Sequence, residues 1–177
     1  TVMAKRIKQT TILLLLSVVI SITFNFISGH GIPLVGNWPT SGGSEAAVPP
    51  SAEEGDPPFI SVDDAAALFQ TPGVLFIDAR DPEDFEINRV RGAINIPYDY
   101  LPDDDYDSYF ANLANEISHD TRIVIYCSGT ECELSLYLGR DMVQYGYQDV
   151  KVFYGGWNDW VNAKLPVELE DEDNGDE

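Results

Sequence analysis

Three short runs set the fold: VLFID at 74–78, RIVIY at 122–126 and VKVF at 150–153. Each is apolar and rich in β-branched residues, and the first follows a Thr-Pro-Gly turn. Runs of this length without polar alternation read as strands buried on both faces, which is the pattern of a parallel sheet. The stretches between them carry helix signals instead. Ser61-Val62-Asp63-Asp64 ahead of AAALF is an N-capped helix start, with acids in the first turn. Asp81-Pro82-Glu83 opens another helix with proline at its favoured first position. A brief strand is expected at 93–95 and a helix over 109–117. Residues 132–145 recover a helical period through Leu134, Leu138, Met142 and Tyr145, with Gly146 as C-cap. Gly155-Gly156 then turns the chain into a short last helix, where Trp157 and Trp160 read as packing residues. Strands alternating with helices predict an α/β fold: a central, mostly parallel sheet flanked by helices.

Charge and composition divide the rest of the chain. Residues 11–28, TILLLLSVVISITFNFIS, form an 18-residue run without a charge, preceded by Lys5, Arg6 and Lys8. That length is just enough for a hydrocarbon core of about 30 Å. The run ends in Asn-Phe-Ile-Ser rather than in a small-residue cleavage site, so it is expected as one uncleaved transmembrane helix. The basic residues put 1–10 in the cytoplasm and the remaining chain outside it, in the periplasm of a bacterium, as a single-pass inner-membrane protein. Residues 29–58, rich in Gly, Pro and Ser, read as a semi-extended linker, and 59–167 as the one globular domain. The last ten residues, 168–177, carry seven acids and read as a disordered tail. Without that tail the domain still has 7 basic against 19 acidic side chains, which excludes a nucleic-acid partner.

The only two cysteines, Cys127 and Cys132, lie five positions apart in YCSGTECELS. Cys127 follows directly on a strand and precedes a helix, the junction where open parallel sheets bind ligands. A short loop of Ser128, Gly129, Thr130 and Glu131 would wrap backbone N–H groups around the sulfur, and the helix would point its positive end at it. Both effects favour the thiolate, which is the nucleophile. Gly129 suits a tight cradle. Cys132 has two readings, an inward-facing thiol that attacks what Cys127 carries or a small buried residue at the helix start. Zinc is a poor fit: the two cysteines and His119 supply at most three ligands, and His30 lies in the linker. The acids of 102–109 lack the spacing of a calcium loop. No metal and no cofactor is expected.

Three stretches together resemble single-domain rhodanese-like proteins over residues 59–167. They are FIDARDPEDFEINRVRGAINIP at 76–97, IVIYCSGTECELS at 123–135 and GYQDVKVFYGGWNDWVNAKLPVE at 146–168. The resemblance implies that Cys127 carries a persulfide, taking sulfane sulfur from a donor and passing it to a thiol acceptor. It also implies an at least partly structural role for Asp78 and Arg80. Glu131, Cys132 and Glu133 stand where many active members of that family have a non-acidic residue or arginine, and Asn88-Arg89-Val90 departs from a frequent Gly-His-Ile. Two carboxylates beside the sulfur oppose both a thiolate and an anionic donor, so thiosulfate is disfavoured against a neutral or protein-bound persulfide. The leading expectation is a membrane-anchored sulfurtransferase. The alternatives are a non-catalytic rhodanese-like subunit of a membrane complex, or a redox module in which Cys127 and Cys132 cycle together.

Overall fold

The computed structural model describes residues 2–27 and 45–169, and the chain divides into two compact units, Thr1–Trp38 and Pro39–Glu177. The acids of 170–177 and the linker residues 29–44 lie outside the described residues. In the first unit a single helix, α1, runs from Val2 to Ile27. Its described apolar side chains stand open, Leu13, Leu15 and Val19 each at 62% exposure or more. Among the described residues no helix is long and apolar enough to cross a membrane. Of the expected span 11–28, Ser28 and the side chains of Ile22, Asn25, Phe26 and Ile27 lie outside the described residues.

The second unit is built on α2 (Val62–Phe69), β1 (Val74–Asp78), α3 (Pro82–Ile87), β2 (Asn88–Val90) and β3 (Ile94–Asn95). A 3-10 turn (Tyr98–Tyr100), α4 (Tyr106–Glu116), β4 (Arg122–Tyr126) and α5 (Leu134–Gln144) follow, then β5 (Asp149–Phe153), α6 (Gly156–Asn162) and β6 (Val167–Leu169). The sheet has the order β3-β1-β4-β5 and is parallel throughout. Strand period sends alternate side chains to two cores. Ile77, Ile123 and Ile125 pack with α4 and α5 through Phe110, Leu113, Leu138 and Met142. Phe76, Val124, Tyr126 and Phe153 pack with α2 and α6 through Ala65 and Trp160. Burial on both faces is why VLFID and RIVIY show no polar alternation. The Ser61 cap forms as read, its hydroxyl accepting from Asp64 N while the Asp64 carboxylate accepts from Ser61 N.

Three differences matter for the site. A second, two-stranded antiparallel sheet pairs β2 with β6 in the register Val90 to Val167, with Arg89 bonded to Glu168 at 2.9 Å. Strands of three residues are too short to show a period, so sequence pattern alone passes over them. Helix α5 begins at Leu134, which leaves Cys132 in the loop and partly exposed rather than buried at the helix start. Residues 45–58 are also not a free spacer. Ile60 N bonds Val152 O and Val152 N bonds Pro58 O, so the segment flanks β5. Further back, Arg140 grips both Asp56 carboxylate oxygens and Ser51 O. Proline-rich composition does not distinguish a solvated linker from a strap held down by its polar atoms.

Candidate active site

Cys127 stands one residue past the C-terminal end of β4 and is 2% exposed. The loop that follows is fixed from behind by the start of α6. Trp157 N donates to Cys127 O at 2.8 Å and Asn158 N to Ser128 O at 2.9 Å. Tyr154 Oη donates to Thr130 O, and Cys132 N closes a turn on Gly129 O at 2.9 Å. In a trans peptide the N–H points opposite to the C=O. Pinning the carbonyls of Cys127, Ser128 and Thr130 therefore directs the amides of Ser128, Gly129 and Glu131 away from those partners. Space behind the loop is tight. A Cβ on Gly156 would stand 2.3 Å from Cys127 O, at a φ of +60°, and one on Gly129 would stand 2.8 Å from Asn158 Nδ2. Gly156 needs glycine, both for its left-handed backbone and for close approach to backbone atoms, whereas a side chain at Gly129 would require the Asn158 amide to turn away.

The two sulfurs are joined: Cys127 and Cys132 form a disulfide with Cα atoms 6.2 Å apart. Glu133, the N-cap residue of α5, makes no capping bond with its side chain. Its carboxylate instead accepts from Ser51 Oγ and Tyr137 Oη, both at 2.6 Å, and these bonds hold it below the usual carboxylate range. The first-turn amides of α5 thus receive no cap from that side chain, whose charge is kept and solvated by hydroxyl donors from the strap and from α5. Glu131 is exposed. His119 packs edge-on against Tyr147, centroids 4.9 Å apart.

Asp78 and Arg80 form a buried pair at 0% and 4% exposure, with Arg80 Nη2 2.7 Å from Asp78 Oδ2 and Nε bridging both carboxylate oxygens. The same guanidinium donates to Asn88 O and Oδ1, and lies 5.1 Å above the Trp157 ring. It therefore ties β1, β2 and the residue whose amide holds Cys127 O. Asn95 Nδ2 bonds the carbonyls of Asp78 and Arg80, which fixes this turn from the side of β3. Tyr126, next to Cys127, has its hydroxyl against Val90 N at 3.1 Å, and burial keeps this phenol neutral well above its ordinary range.

The structure thus brings together Cys127, Ser128, Gly129, Thr130, Glu131 and Cys132 in one loop, with Glu133 turned to the strap and the Asp78–Arg80 pair beneath Trp157. Sequence reading missed Ser51, Tyr137, Tyr154 and Asn158, which hold this loop and its flank, and the lock at Gly156. Only the Gly155-Gly156 doublet signalled the last of these, and it reads equally as a turn.

Residues 61–163 match the family described as Rhodanese-like domain. A thiosulfate sulfurtransferase from Tolumonas auensis is 30% identical over 101 residues, 57% of this chain and 85% of the relative. A chloroplastic rhodanese-like domain-containing protein from Arabidopsis thaliana is 27% identical over 54% of this chain and 53% of its own length. Among solved structures, a Bacillus halodurans protein superposes with a TM-score of 0.52 at 23% identity, over 62% of this chain and 74% of that one.

Proposed function

Since the chain belongs to the rhodanese-like domain family, we propose that it is a sulfurtransferase that carries sulfane sulfur as a persulfide on Cys127. The observation that supports this most is the loop after β4, whose carbonyls are tied to α6 and Tyr154 so that its amides turn the other way. Loop amides turned toward a sulfur and the positive end of a helix both stabilise a thiolate. That thiolate attacks the outer sulfur of a donor persulfide, the donor leaves as its thiol, and a new Cys127 S–S bond holds the cargo. An acceptor thiolate then takes the outer sulfur and Cys127 returns as thiolate, with no cofactor or metal used.

A neutral or protein-borne persulfide suits the site better than thiosulfate. The loop has no arginine, Arg80 is committed to Asp78 and Asn88, and Arg140 to Asp56 and Ser51. A dianion would meet the exposed Glu131, a charge of its own sign. The uncharged run 11–28 supports a second part of the reading, a single N-terminal anchor with the domain on the extracytoplasmic side. As a helix it would reach about 27 Å, close to the thickness of a bilayer core. Sedimentation of the full chain with membranes after a carbonate wash, and protease access to the domain from outside spheroplasts, test it. A chain left in the supernatant sinks the anchor.

The burial of Cys127 favours one other reading, a non-catalytic module of a membrane complex. Intact mass after treatment with cysteine persulfide separates the two. One added sulfur in the reduced wild type and none in Cys127→Ser is expected for the carrier. An unmodified wild type, with both thiols open to alkylation, leaves only the binding module.

A further inference from the structure

The disulfide across the loop suggests how the sulfur leaves. We propose, building on the persulfide reading, that Cys132 is a catalytic resolving thiol and that this protein discharges its cargo as sulfide. The Cα separation of 6.2 Å lies within the span that a disulfide bridges without backbone movement. The backbone of the loop is held at Cys127, Ser128 and Thr130, and the Cys132 N–H closes on Gly129 O. The approach of the two sulfurs therefore belongs to the folded loop. They are unequal: Cys127 is 2% exposed, whereas Cys132 is partly open and lies two residues before α5, where the helix field favours its thiolate.

The step balances as follows. Cys132 thiolate attacks the Cys127 sulfur of the persulfide, the bond to the outer sulfur breaks, and that sulfur departs with the electron pair as HS⁻. The Cys127–Cys132 disulfide forms, so the cysteine pair is oxidised by two electrons and the sulfane sulfur is reduced by two. Return to the dithiol requires a dithiol reductant, which attacks the sulfur of the partly exposed Cys132 and expels Cys127 as the amide-stabilised leaving group. A simple carrier passes sulfane sulfur on intact, whereas this chain would consume one dithiol for each sulfide made.

The test uses the full chain in detergent, reduced, freed of reductant and mixed with equimolar cysteine persulfide, with sulfide release and intact mass followed together. Wild type is expected to release its sulfur as sulfide in a first burst and to finish as the disulfide, two hydrogens lighter than at the start. Cys132→Ser is expected to hold one added sulfur, with the burst reduced at least about tenfold, because the attacking thiol is no longer at high local concentration. Cys132→Ala, compared with reduced wild type by thermal melting, guards against a folding defect and should behave as Cys132→Ser does. A wild type that keeps its added sulfur, or a Cys132→Ser chain that releases sulfide as fast as wild type, overturns the resolving role while leaving the carrier intact. Failure of wild type and Cys132→Ser alike to take up sulfur overturns the carrier reading and this one with it.

Discussion

Substituting Gly156 by alanine should damage the site more than it damages the fold. The new Cβ would stand 2.3 Å from Cys127 O and 2.9 Å from Gly129 N, where ordinary contact begins at 3.4 Å. The carbonyl that Trp157 N holds must therefore retreat by about 1 Å, a displacement that in an active site costs about 100-fold in rate. Stability falls as well. Holding alanine at a φ of +60° costs about 1–2 kcal/mol. Overpacking against backbone costs about 1–3 kcal/mol more. At roughly 4 °C per kcal/mol for a domain of this size, melting should drop by about 10–20 °C. Gly155→Ala is the control. Its φ of −61° suits alanine, and its Cβ would stand 2.1 Å from Asp159 Oδ2 and 2.8 Å from Asp159 Cγ, so the side chain that has to turn away is that of Asp159 and not the backbone that holds Cys127. The assay pairs a thermal melt of the reduced chain with the rate at which cysteine persulfide adds sulfur to Cys127, measured well below the melting point of each variant. If Gly156→Ala melts within a few degrees of wild type and loads at its rate, the loop is not locked from behind and the argument from close approach is wrong.

Other outcomes follow from the same contacts. Asp78→Asn leaves Arg80 charged and unpaired at 4% exposure, so urea unfolding should show a loss of about 3–5 kcal/mol. Tyr126→Phe removes the acceptor of Val90 N, and a buried amide left without a partner costs about 1–3 kcal/mol, visible as faster hydrogen exchange over 88–90 and 167–169. The Asp56 carboxyl is held below its usual range by its bond to Arg140, so the stability this pair lends the strap is full above the unfolded carboxylate pKa of about 3.9 and is lost as pH falls through the lower folded value. Proteolysis of 45–58 should therefore stay slow from neutral pH down to that range and rise only below it. In Asp56→Asn it should be fast at neutral pH, and an unchanged acid step in that variant would assign the effect to another group.

The parts of this molecule that the sequence made legible are those with strong local signals. VLFID and RIVIY coincide with β1 and β4 residue for residue, because burial on both faces leaves an unbroken apolar run. Ser61 with acids in the following turn marked the start of α2, and the structure closes the pair Ser61 and Asp64 into a capping box. Helix α4 starts at Tyr106, three residues before the expected 109, since Asp103, Asp104 and Asp105 are each a possible cap and mark no single start. Cys127 was recognisable from its place between strand and helix. What holds it was not, because the partners are distant in sequence: Ser51 reaches Glu133 across 82 positions and Tyr154 reaches Thr130 across 24. The register of Cys132 turned on where α5 begins, and a shift of two residues decides between a core side chain and a loop thiol facing Cys127.

The latch on Cys127 also sets an order of events in time. A chain made from its N-terminus presents the cysteine thirty residues before Trp157, whose amide fixes Cys127 O. The central strand β1 waits longer still for β4, its Val74 pairing with Arg122, and β2 waits for β6 at the far end of the domain. Strand pairings of this reach form slowly. During synthesis the thiol is therefore complete as chemistry but undefended as structure, open to any passing disulfide, until the final third of the domain arrives and shuts the loop behind it.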